Sequence, residues 1–135
     1  MWSRAKSISV SLGTVTSHMA EPWPTELRLD KDKRILTVSF DDGKSFTIPA
    51  ELLRVLSPSA EVQGHSPEQR VTVGGKRNVG ITRLEPVGNY AVRIVFTDGH
   101  DTGLYVWEYL RELGEEKEAR WQEYLEDLAA KRLSR

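Results

Sequence analysis

The sequence predicts an α+β domain in which a small antiparallel β-sheet meander is covered by C-terminal helices. Three observations predict it. Apolar and polar residues alternate in short runs between Leu27 and Phe96, Asp-Gly and Gly-Asn pairs punctuate those runs, and beyond Val106 the apolar spacing switches to a helical period. Strands followed by helices, without regular strand–helix alternation, point to an antiparallel sheet covered on one face. At 135 residues the chain suits one domain and needs no disulfide or structural metal merely to stay folded.

Residues 1 to 20 hold short apolar residues separated by Arg4, Lys6, Ser7, Ser9 and Ser11, and nowhere form the hydrophobic stretch of a signal peptide. We read residues 1–21 as a flexible N-terminal leader, compatible with a natural start at Met19; a weak strand over residues 8 to 12 is the alternative. Leu27 and Leu29 then open an orderly pattern, continued by Ile35, Leu36, Val38 and Phe40 and resumed by Phe46 and Ile48. This is a meander of three strands. Asp32-Lys33 and Asp42-Gly43 supply its turns. Pro49 suits the start of a short helix whose apolar side is Leu52, Leu53 and Leu56.

Residues 57–70 hold two prolines and a glycine without sustained periodicity, and read as a long loop of the kind that often carries function. Val71 and Val73 start another extended run, Gly74-Gly75 turns it, and Val79, Ile81 and Leu84 continue it. After the Gly88-Asn89 turn, Tyr90, Val92, Ile94 and Phe96 share one face of a strand that Asp98-Gly99 closes. Val106, Tyr109, Leu110 and Leu113 form one helical face, with Gly114 placed as a left-handed cap. Trp121, Tyr124, Leu125 and Leu128 repeat the spacing in a second helix over residues 115 to 133, acidic at its start and basic at its end as the helix dipole favours.

Charge and composition exclude some function classes. Nineteen basic side chains against 20 acidic ones give a formal net charge of −1, which offers no broad attraction to nucleic acid or to anionic membrane. No window approaches the roughly 20 apolar residues that cross a bilayer. The absence of cysteine agrees with a reducing compartment, so a cytoplasmic protein is expected.

The residues that could carry chemistry are few. Without cysteine, a transition-metal site must use the histidines and carboxylates. Asp98, His100 and Asp101 lie within four residues, and the loop bearing His65 could fold across them, so His65, His100 and Asp98 or Asp101 form a candidate zinc or iron site. The simpler reading makes His100 a locally hydrogen-bonded side chain beside an ordinary turn. Ser57, Ser59 and Ser66 lie near His65 but lack the Gly-x-Ser-x-Gly setting of a hydrolase nucleophile. Gly74-Gly75-Lys76-Arg77 could cradle a phosphate through exposed amides, although it lacks the spacing of a nucleotide loop and also reads as a basic hairpin tip. Tyr90, Tyr105 and Trp107 could form an exposed aromatic patch, against the default of core packing for each alone.

Three motifs in order carry a resemblance: Ser57-Pro58-Ser59-Ala60-Glu61-Val62-Gln63-Gly64-His65, Val87-Gly88-Asn89-Tyr90-Ala91, and Phe96-Thr97-Asp98-Gly99-His100-Asp101-Thr102-Gly103-Leu104-Tyr105-Val106-Trp107-Glu108-Tyr109-Leu110. The chain resembles the DUF971 family, also called the gamma-butyrobetaine hydroxylase-like N-terminal domain. The resemblance assigns residues 22–113 to that domain and residues 114–135 to a C-terminal helical extension. In the carnitine-synthesis hydroxylases the similar domain holds a structural zinc through Cys-x-Cys-x-x-Cys and a later histidine. Laid onto this chain, those places fall near Ser57, Ser59 and Val62, with His100 as the histidine, so three of the four ligands are missing.

Hydroxylase activity belongs to a separate iron and 2-oxoglutarate domain that the chain is too short to contain. Its His-x-Asp/Glu signature is also absent, since Ala20, Pro67 and Thr102 stand two places after His18, His65 and His100. Family members also occur fused to Mrp-type P-loop ATPases that carry iron–sulfur clusters, which implies an accessory role. The expectation is therefore a stand-alone, non-catalytic module docking onto a partner protein, with an Mrp-type ATPase as the candidate. Ser57, Ser59, Glu61, His65, Asn89, Tyr90, Asp98, His100, Asp101, Tyr105 and Trp107 are its expected docking residues. The alternative is a metal-binding protein. An enzyme with His100 as general base lacks a nucleophile, a cofactor loop and a second catalytic group.

Overall fold

The computed structural model describes residues 8–11, 22–63 and 71–135. The strands divide into two antiparallel sheets. The first has the order β1-β2-β3-β4, formed by Ile8–Ser11, Pro24–Leu29, Ile35–Phe40 and Ser45–Pro49. The second has the order β5-β6-β7, formed by Ile81–Val87, Ala91–Phe96 and Leu104–Val106. Helices α1 (Ala50–Val55) and α2 (Ala60–Gln63) lie between the sheets in sequence, and α3 (Trp107–Glu115) and α4 (Lys117–Ala130) follow them.

The α+β class and the covering helices are as the pattern predicts, and the expected three-strand meander is β2–β3–β4. Its alternation has the predicted meaning: Leu27, Leu29, Leu36, Val38 and Ile48 are fully buried, while their neighbours along the strands are more exposed. Lys33 (φ 59°) and Gly43 (φ 87°) supply the left-handed residues of the two turns. Asp30 secures the first turn by accepting the backbone N–H groups of Arg34 and Ile35. Four residues of the expected leader, Ile8–Ser11, form β1 and pair with β2 in the register Ile8↔Leu29 to Ser11↔Glu26, which is the strand alternative.

Alternation did not reveal that the strands form two sheets. One core nevertheless runs through both, joining Leu27, Leu36 and Ile48 to Ile81, Ile94 and Phe96 and to Leu110, Leu113 and Leu128 of the helices. A backbone bond stitches the sheets together where Ile81 N–H, in β5, donates to Lys33 O in the β2–β3 turn.

Two local expectations are corrected. Residues 71–73 are not a strand and Gly74-Gly75 is not a hairpin turn. Val71 N–H donates to Val62 O, Lys131 Nζ donates to Thr72 Oγ1, and Val73 packs against the core, so this segment lies along the helices. Gly114 does not cap α3 either. It lies inside the helix, where an added Cβ would sit 2.6 Å from Phe46 Cγ, so the glycine allows α3 to close onto β4.

Candidate functional site

The segments 57–63 and 98–105, about 40 residues apart in the chain, meet where the chain runs from β6 into β7. Phe96 ends β6, and Gly99 (φ 91°) turns the chain back so that Phe96 N–H donates to His100 O. This turn drives the His100 side chain inward, where only 4% of it is exposed. From the other side, α1 ends at Leu56 and delivers Ser57, which is fully buried.

The side chains then satisfy one another. Ser57 Oγ lies 2.9 Å from His100 Nε2 and accepts Ser59 N–H at 3.2 Å. His100 Nδ1 lies 3.2 Å from Glu61 Oε1. Ser59 Oγ accepts Glu61 N–H at 3.1 Å, capping α2, and is 2.7 Å from Thr102 Oγ1. Gly103 completes the joint, because a Cβ there would collide with Ser57 Oγ. Buried polar groups left unpaired would each cost about 1–3 kcal/mol, so the network is required once these residues are enclosed.

Serine, imidazole and carboxylate thus stand in a row. Burial decides what the row can do. A nucleophilic hydroxyl must meet its substrate, and Ser57 has no exposed surface and lies so close to Gly103 that not even a Cβ fits between them. The arrangement acts as a clamp between two loops.

Electrostatics agree with a neutral clamp. Burial, followed by the nearby Arg54 cation, lowers the His100 pKa below its ordinary 6.5, against the opposing pull of Glu61 and Asp98. Asp98 turns away from the ring. Its Oδ2 pairs with Arg54 Nε at 2.8 Å and Lys76 Nζ at 2.5 Å, and its Oδ1 accepts His100 N–H. Burial raises the Asp98 pKa, but these partners outweigh it and hold the carboxyl down at about 2.

The donor set does not fit the zinc of the hydroxylase relatives. Two of its four places are serines hydrogen-bonded within the protein, and the third is the buried apolar Val62. His65 and Ser66 lie outside the described residues, and with them the expected pairing of His65 with His100. Among the described residues, no three potential ligands cluster to hold a metal ion. Asp98 is committed to two cations, and Asp101 is half-buried beside Arg93.

The expected exposed aromatic patch is not formed. Tyr105 is fully buried and donates its hydroxyl to Leu53 O at 2.6 Å, and Trp107, 6% exposed, donates Nε1–H to Asn89 O at 2.9 Å. Both rings fasten the segment to the scaffold rather than face a partner. Ser57, Ser59 and His100 are likewise buried, so among the described docking residues Glu61, Asn89, Tyr90 and Asp98 are the exposed ones, and the Asp98 carboxylate is held by Arg54 and Lys76. Leu104, and Val106, which the helical spacing placed on a buried helix face but which ends β7 instead, are exposed on either side of buried Tyr105. Their signal was present, since strand alternation about an inward Tyr105 puts both outside.

The family model described as gamma-butyrobetaine hydroxylase-like, N-terminal, matches residues 27–111. Two solution NMR structures are similar to the chain. One is 48% identical with a TM-score of 0.74, covering 90% of this chain and 91% of its own; the other is 46% identical with a TM-score of 0.73, covering 84% and 90%. A crystal structure at 1.93 Å of a DUF971 protein of unknown function from Acidithiobacillus ferrooxidans is 38% identical with a TM-score of 0.56, covering 67% of this chain and 91% of its own. No curated protein matches the chain. Among the described residues, no helix is long and apolar enough to cross a membrane. The matched span contains the clamp and both segments that it joins, and the chain belongs to the gamma-butyrobetaine hydroxylase-like N-terminal (DUF971) family.

Proposed function

We propose that this chain is a stand-alone, non-catalytic accessory module that docks onto a partner protein in iron–sulfur or cofactor metabolism. The supporting observation is the edge of the second sheet. β7 is bonded to β6 on one side, and the clamp fixes the loop that leads into it. Leu104 is 41% exposed, Val106 36% and nearby Tyr90 51%. Trp107 N–H donates to Tyr90 O, which ties these positions into one surface. An edge strand with outward apolar side chains on a rigid support suits addition of a partner's extended segment.

Buried Ser57, His100, Tyr105 and Trp107 act in this reading as positioning residues. Contact falls to Tyr90, Leu104 and Val106, with Glu61 and Asn89 at the rim. The proposed setting is the cytoplasm, which suits a chain without cysteine. The partner implied by family fusions is an Mrp-type iron–sulfur P-loop ATPase.

Calorimetric titration of a purified Mrp-type ATPase with the full chain tests the proposal. Binding is expected, and Leu104→Lys combined with Tyr90→Ala should weaken it about tenfold or more while the far-ultraviolet spectrum stays unchanged. No heat of binding to the ATPase, or equal affinity for the double variant, would overturn it.

A further inference from the structure

The Gly74-Gly75-Lys76-Arg77 segment takes no part in the clamp. It walls a cavity of about 540 Å³, within the size range of small-molecule sites. Residues 75–79 form one side, Thr97 and Asp98 a second, and Ser134 and Arg135 a third.

These walls are pinned. Gly75 (φ 73°) donates its N–H to Ser134 O at 2.8 Å, and a Cβ on Gly74 would come within 2.8 Å of the same carbonyl. The two glycines therefore let the C-terminal residues lie against the loop. Arg135 is held in turn by the buried carboxylate of Glu51, through Nε at 3.0 Å and Nη2 at 2.8 Å, and Tyr124 donates to that carboxylate at 2.7 Å.

Charge identifies the ligand class. Lys76, Arg77 and Arg135 line the cavity and Arg54 stands behind Asp98, so four cations face the two carboxylates Asp98 and Glu51. The internal pairs satisfy Asp98 with Arg54 and Lys76, and Glu51 with Arg135. Arg77 is exposed and has no ion pair among the described residues. Arg77 thus stands at the cavity as a cation that no internal carboxylate pairs, in a chain whose formal net charge is −1. The rest of the lining is largely polar. Asn78 is exposed, and Thr97 Oγ1 accepts Gly80 N–H, which leaves its own proton free to donate. A phosphate monoester brings negative charge to Arg77 and several acceptor oxygens to that donor set, more than the two oxygens of a carboxylate can fill.

We propose that this cavity binds the phosphate group of a small phosphorylated molecule, with Arg77 as its principal contact. The test is NMR titration of the isotopically labelled full chain with inorganic phosphate, pyrophosphate and adenosine monophosphate at constant ionic strength. Saturable shifts are expected at residues 75–79, 97–98 and 134–135. Arg77→Gln should weaken binding about fivefold or more with an unchanged unfolding temperature, whereas Arg28→Gln, in β2, should bind as the parent does. Tighter binding of the nucleotide than of phosphate would place additional ligand atoms in the cavity; equal affinity would mean that the phosphate alone is read. Shifts scattered over basic residues, an Arg77→Gln protein that binds as well as the parent, or a short oligonucleotide without terminal phosphates competing as well as phosphate would each overturn the proposal.

Discussion

The two sides of the Asp98–His100 turn contrast in how their polar groups are used. On one side Ser57, Ser59, Glu61, His100 and Thr102 partner one another in a joint whose centre is buried. On the other, Lys76, Arg77 and Arg135 line an open cavity in which cations outnumber carboxylates. Asp98 belongs to both, accepting the His100 backbone N–H while holding Lys76 and Arg54. Polar groups that saturate each other hold a fold together. Charge left over after such pairing marks a surface with binding capacity.

Substitutions can break that contrast. The largest effect is expected from His100→Ala, which leaves buried Ser57 Oγ with the Ser59 N–H alone and removes a ring that lies 6.1 Å from Phe96 between centroids. A loss of about 2–4 kcal/mol in urea unfolding is predicted. A change below about 0.5 kcal/mol would mean that the joint does not hold the loops.

Asp98→Asn should cost less, about 1–2 kcal/mol at pH 7, because the amide can still accept the His100 N–H but leaves Arg54 and Lys76 without their anion. The difference from the parent should depend on acid. The folded carboxyl titrates at about 2, below its ordinary 3.8, so its stabilisation is complete above that ordinary value and is lost as pH falls through about 2. Parent and variant should therefore converge near pH 2 in unfolding measurements, and a gap that stays constant with pH would show that the ion pairs contribute nothing. Arg77→Gln marks the small end of the series, with a stability change within about 0.5 kcal/mol despite its expected loss of phosphate affinity.

The sequence made the periodic parts of this molecule legible. Leu36, Val38 and Phe40 face the core because a strand alternates sides, and Leu110 and Leu113 do so because a helix repeats every 3.6 residues. Contacts set by tertiary approach were not legible. Gly114 resembles a helix cap until Phe46 is placed against it, and Val71 and Val73 resemble a strand until the helices lie alongside. Tyr105 and Trp107 looked available to a partner because nothing local shows that Leu53 O and Asn89 O await their polar atoms. The convergence of Ser57 with His100 was visible only through the family resemblance, which aligned both with zinc-ligand places of the carnitine-synthesis hydroxylases. That Ser57, His100, Glu61, Ser59 and Thr102 are joined by hydrogen bonds was not legible in the sequence, because each bond spans segments far apart in the chain or depends on burial.

The most direct test of the clamp is the ionisation of His100, followed through its ring resonances from pH 8 to pH 4 (about 2.5 units beneath its ordinary value). Burial and Arg54 favour the neutral ring, so folding is helped above the unfolded value of 6.5, and that help is lost as pH falls through the lower folded value. The account predicts a midpoint clearly below 6.5 and a neutral imidazole at pH 7. A midpoint at or above 6.5 would contradict it, since a ring sealed against Ser57 should resist protonation.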